Sequence, residues 1–80
     1  MNRFNGKAVI VTGAASGFGE AIARKFAGEG ASVLCADINF SGVTKLAEEL
    51  DNAVPFEIDV SNEEQNQAMI QCAVDHFSKI

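Results

Sequence analysis

The chain has 80 residues, a formal net charge of −5, 48% hydrophobic and 21% charged residues, which describes one small globular domain. Its acidic balance disfavours nucleic acid and anionic membrane as partners, because both attract basic surfaces. No apolar run approaches the ~20 residues of a membrane span, and Met1–Lys7 runs into a strand-like segment without a secretory hydrophobic region.

Lys7–Val11 contains a continuous apolar run suited to a strand buried on both faces of a parallel sheet. Thr12-Gly13-Ala14-Ala15-Ser16-Gly17-Phe18-Gly19 follows it and opens an amphipathic stretch, the place where a nucleotide-binding turn has to sit. Each glycine has its own task there. Gly13 lets the chain leave the strand sharply, Gly17 lets backbone approach a diphosphate, and Gly19 allows close packing of helix on strand. A helix over Phe18–Glu29 presents free N–H groups and the positive end of its dipole to an anion. Its apolar side recurs at Phe18, Ile22 and Phe26, and Gly28 and Gly30 mark its end.

Ser32–Ala36 is a second apolar strand, closed by Asp37. Ser41 is placed to cap a second helix carrying Val43, Leu46, Ala47 and Leu50 on one side. Val54–Ile58 forms a third strand, with Pro55 near its beginning, where a lost donor does least harm. Ser61 and Glu64 have capping-box spacing for a third helix, and Glu63-Glu64 suits its N-terminus. Met69, Cys72, Ala73, His76, Phe77 and Ile80 make that helix's stripe. Cys35 and Cys72 read as small buried hydrophobes in a reducing, cytoplasmic compartment, and no Cys/His spacing suggests a metal site. The pattern β-α-β-α-β-α predicts three parallel strands in the order 3-2-1 with helices on both faces, one half of a doubly wound α/β fold.

Asp37 lies eighteen positions after Gly19, near the ~20-residue offset of a ribose-binding carboxylate. Such a carboxylate accepts from the 2′- and 3′-hydroxyls of NAD and repels the 2′-phosphate of NADP. Ser16 agrees, offering a hydroxyl where an NADP site benefits from a guanidinium; it contacts a phosphate or ribose oxygen, or pairs within the loop. Asp59 reaches the adenine edge with Val60 flanking the ring, or serves as a plain turn residue. Thr12 is placed to brace the turn through local backbone. The candidate cofactor contacts are Thr12, Gly13, Ser16, Gly17, Phe18, Gly19, Asp37, Ile38, Asp59 and Val60.

These residues resemble the short-chain dehydrogenase/reductase family. Thr12–Gly19 fits its TGxxxGxG turn in full, Gly6–Val11 looks like its lead-in, Asp37 like its NAD-selecting acid and Asp59-Val60 like its adenine-site pair. The resemblance implies a Rossmann-like three-layer α/β/α fold and NAD-dependent hydride transfer on a carbonyl or alcohol. The family's catalytic set resembles Asn, Ser, Tyr and Lys, the last two in a YxxxK helix well downstream, whereas this chain has no tyrosine. Ser78 and Lys79 lie on the wrong element to substitute. The expectation is a single unit over 1–80, the N-terminal half of an NAD-binding domain, with no catalytic residues of its own. Two other readings stand beside it. One is a non-catalytic truncated product or binding module, self-associating through the unpaired edge of the first strand. The other is an S-adenosylmethionine-binding domain, whose glycine turn is usually closer-set.

Overall fold

The structure is a computed structural model that describes residues 6–59 and 61–77; Val60, Ser78, Lys79 and Ile80 lie outside the described residues. Six elements alternate: β1 (Ala8–Thr12), α1 (Gly17–Gly28), β2 (Ser32–Asp37), α2 (Phe40–Glu49), β3 (Ala53–Glu57) and α3 (Glu63–Phe77). The three strands are parallel in the order β1-β2-β3, which is the expected 3-2-1 arrangement seen from the other edge. Val9 pairs with Val33, Val11 with Cys35, and Cys35 in turn with Pro55.

Alternation along the strands splits the core into two layers, because successive side chains leave opposite faces of the sheet. Val11, Val33 and Cys35 meet Ala23 of α1 together with Val43 and Leu46 of α2 on one face. Leu34, Ala36 and Ile58 meet Met69 and Ala73 of α3 on the other. The four central residues of β2, Val33 to Ala36, are therefore wholly buried, as a continuous apolar run predicts for the middle strand. Burial in this apolar setting pushes the Cys35 thiol up to about 11. Cys72 and Phe77 pack at the margin of the α3 layer, while His76 of the predicted stripe is exposed, its Nδ1 2.9 Å from the Cys72 carbonyl oxygen.

Element ends follow local chemistry. Helix α1 closes in a Schellman motif: Gly30, at φ 94°, donates to the Ala27 carbonyl, and Ala31 donates to Phe26, both at 3.1 Å. Two predicted caps are corrected. Asn39, not Ser41, caps α2, its Oδ1 accepting the Gly42 N–H at 3.1 Å, while Ser41 donates to that same oxygen. The Ser61–Glu64 capping box does not form. Asp59 Oδ1 takes both the N–H and the hydroxyl of Ser61, at 3.0 and 2.7 Å, and Asn62 caps the helix instead by accepting the Gln65 N–H at 3.0 Å. A carboxylate two residues upstream is the stronger acceptor, and it draws Ser61 out of the cap position.

Pro55 sits mid-strand rather than near the start of β3. Asn52 accepts from Val33 and Ile58 donates to Asp37, so even-numbered β3 residues bond to β2. The odd positions, Pro55 included, face the outer edge, where a missing N–H costs no ladder bond. Among the described residues, no helix is long and apolar enough to cross a membrane.

Candidate functional site

The carboxyl ends of the three strands converge on a cleft of about 220 Å³ lined by Gly13, Asp37, Ile38, Ile58 and Asp59. Four of these are residues the sequence singled out. Ile58 was missed; it is buried at the cleft floor and follows β3 directly, a position that marks it as strand-end but says nothing of a site.

The turn from β1 into α1 is held by short bonds on several sides. Gly13 adopts φ 69°, a left-handed conformation in which a side chain is strained. Its carbonyl oxygen accepts the Ser16 N–H at 3.1 Å and the Ser16 hydroxyl at 2.7 Å. Ser16 Oγ accepts the Gly19 N–H at 3.2 Å, which makes Ser16 the N-cap of α1, and its carbonyl takes the Glu20 N–H at 2.8 Å. Ser16 thus pairs within the loop. This leaves the first two helical N–H groups, those of Gly17 and Phe18, without a hydrogen-bond partner among the described residues. Two unengaged donors at a helix start, reinforced by the dipole, form a ready anion site.

Gly19 is buried, and a Cβ there would overlap the Gly13 carbonyl oxygen and lie 2.7 Å from its carbon and 3.1 Å from Ala14 Cα. Here the glycine is required by backbone packing. Gly17 has open space around its would-be Cβ. The Phe18 side chain, 80% exposed, and Ile38, 69% exposed, leave large apolar surface free at this end of the molecule. Thr12 ends β1 exposed, and among the described residues its hydroxyl makes no bond to the turn.

Asp37 reaches across the sheet end: its Oδ2 accepts the Ala15 N–H at 3.0 Å and its Oδ1 the Asn39 N–H at 2.9 Å. Asp59 stands opposite on the cleft. Hydrogen bonds from the Ser61 hydroxyl and N–H hold its carboxyl below the usual carboxylate range, and its own N–H donates to Gln65 Oε1 at 2.7 Å. Val60, its expected companion, lies outside the described residues. The arrangement joins an anion-binding helix start, a fixed carboxylate and an apolar-walled cleft, and those are the parts needed to seat an adenine nucleotide.

Known proteins resemble the chain over nearly its whole length. A relative from Oryctolagus cuniculus, L-fucose dehydrogenase, is 41% identical over 78 residues, which cover 98% of this chain and 28% of that protein. The solved 3-ketoacyl-(acyl-carrier-protein) reductase from Brucella melitensis, complexed with NADH, superposes with a TM-score of 0.92 at 37% identity, covering 96% of this chain and 32% of its own. A short chain dehydrogenase/reductase from Burkholderia phymatum in complex with NAD gives 0.93 at 34% identity, covering 100% and 30%. The chain therefore spans about a third of the length of these proteins. With the short chain dehydrogenase family profile matching residues 7–80, the chain belongs to that family.

Proposed function

We propose that this chain is the NAD(H)-binding portion of an oxidoreductase that moves hydride between nicotinamide and a carbonyl or alcohol carbon, residues 1–80 being the N-terminal half of its dinucleotide-binding domain. The observation that carries the reading is the Asp37 carboxylate, fixed on the same cleft as Gly13 beside a helix start with two unengaged N–H groups. Bound NAD supplies the hydride chemistry, and the protein binds and orients it. The Gly17 and Phe18 N–H groups donate to the diphosphate, with Gly17 leaving room for it to approach. Asp37 accepts from the adenosine ribose hydroxyls and repels a 2′-phosphate, so NAD is preferred over NADP. Ile38 lies against the adenine ring and Asp59 meets its edge, with Val60 as the second flank; Ser16 supports the turn. The solved relatives from Brucella and Burkholderia, which hold NADH and NAD, support the choice of cofactor. We further assign the chain to the cytoplasm, which suits its two unpaired cysteines, and propose that β1 lets the 80-residue chain self-associate.

Titration of the 80-residue chain with NAD, NADP and S-adenosylmethionine tests the reading. NAD is expected to bind most tightly. Preference for NADP would overturn the role of Asp37 in selection, and preference for S-adenosylmethionine would overturn the family-level assignment of chemistry.

A further inference from the structure

We infer that Asp37 shapes the glycine turn as well as reading the ribose, which makes its carboxylate a positioning group for the diphosphate. The inference rests on the cofactor reading above and adds a second task to the same side chain.

Within the turn, Ser16 and Gly19 bond only to near neighbours, so those bonds fix local shape without fixing where the loop sits. Among the described residues, two bonds tie the loop to the rest of the sheet: Ala14 N–H to the Ala36 carbonyl and Ala15 N–H to Asp37 Oδ2, each 3.0 Å. The second crosses 22 residues of sequence and ends on a charged acceptor, the stronger kind. The other carboxylate oxygen holds the Asn39 N–H at the entrance to α2. That helix also closes on the loop: a Cβ on Gly42 would come within 3.0 Å of the Ala15 Cβ and 2.8 Å of Asn39 Nδ2. Ala15 is thus held between a strand-end carboxylate and the first turn of α2. It immediately precedes Ser16, which caps the helix start that presents the Gly17 and Phe18 donors.

Removing the carboxylate leaves the Ala15 N–H part-buried without its acceptor and frees the loop from one of its two anchors. A residue at 37 with no acceptor for the Ala15 N–H therefore does more than tolerate a 2′-phosphate; it loosens the diphosphate site for either dinucleotide.

The test compares ADP with 2′,3′-dideoxy-ADP, which lacks both hydroxyls that Asp37 would read, on the unaltered 80-residue chain, D37A and D37N. Amide hydrogen exchange is followed at Ala15. In D37A, dideoxy-ADP is expected to bind about tenfold more weakly, with Ala15 exchange faster while Val33 and Leu34 are unchanged. D37N keeps an oxygen for the Ala15 N–H and is expected to restore most dideoxy-ADP binding. Undiminished dideoxy-ADP binding by D37A would limit Asp37 to the ribose and overturn the inference. So would an unprotected Ala15 amide in the unaltered chain, which needs no variant to fold. Failure of the unaltered chain to bind ADP would overturn the cofactor reading instead, and the Ala15 exchange would still decide whether the carboxylate holds the loop.

Discussion

At the scale of single residues, the glycine turn separates stability from binding. Gly19→Ala forces a Cβ into the Gly13 carbonyl, where backbone rather than a flexible side chain must give way. Overpacking of this kind costs about 1–3 kcal/mol, so the urea midpoint should fall. Gly17→Ala meets nothing within 4 Å and restricts the unfolded chain, a change worth about 0.4–1 kcal/mol in favour of folding. Its midpoint should hold or rise while NAD affinity drops, since the methyl group occupies the approach of the diphosphate. Equal loss of stability in both variants would contradict this division. The packing task of Gly19 is legible in the sequence, because strand–glycine–helix geometry is a local rule. The Asp37–Ala15 bond is not, since its partners are 22 residues apart and meet only after β1 and β2 pair in register. Gly42 is equally silent: a glycine inside a helical pattern gives no sign that an alanine from another loop will lie against it.

Among the elements, the helix starts depart furthest from the sequence expectation and carry the clearest tests. Asn39 and Asn62 each accept an N–H in the first turn of their helices, and replacing such a cap by alanine costs about 1 kcal/mol. N39A should lower the urea midpoint well beyond S41A, whose exposed hydroxyl only donates to Asn39; the reverse order would return the cap to Ser41. Serine, asparagine and aspartate all compete for caps, and sequence spacing alone does not rank them. Geometry does so here, by giving Ser61 to Asp59. That pairing has a pH consequence. The folded carboxyl of Asp59 lies below its ordinary value of 3.8, so the turn gains from its ionisation above that pH and loses the gain as pH falls through the lower folded value. S61A removes the larger of the two causes and should raise the midpoint of the Asp59 carboxyl titration, followed by NMR. A midpoint unmoved by S61A would mean the hydroxyl does not hold the carboxylate.

For the molecule as a whole, the decisive feature is what lies at the two edges of the sheet. Ser32 donates to the Lys7 carbonyl, so odd-numbered residues of β1 bond to β2, and the amides of Ala8, Ile10 and Thr12 point away from it. The outer edge of β3 presents Pro55, which blunts it; β1 has no such protection among the described residues. The two layers of core explain why β1 is apolar on both faces, since α1 and α2 cover one and α3 the other. Its backbone edge is a separate matter, and it offers donors and acceptors to a second copy. Opposing this is the net charge of −5 on each 80-residue chain, whose repulsion reaches across about 10 Å at 0.1 M salt and shrinks to about 3 Å at 1 M. Association should therefore increase with salt and with protein concentration in sedimentation velocity. Ala8→Pro removes one outward N–H while leaving the bonds to β2 intact, at a side chain with little to lose, and it stands at the first residue of the strand, where proline is tolerated. It should weaken association at unchanged helix content. A chain that stays monomeric at high salt and high concentration would remove β1 as an association edge, and association unaffected by A8P would move the contact to another surface, where the exposed Ile70 and Val74 of α3 are the next to test.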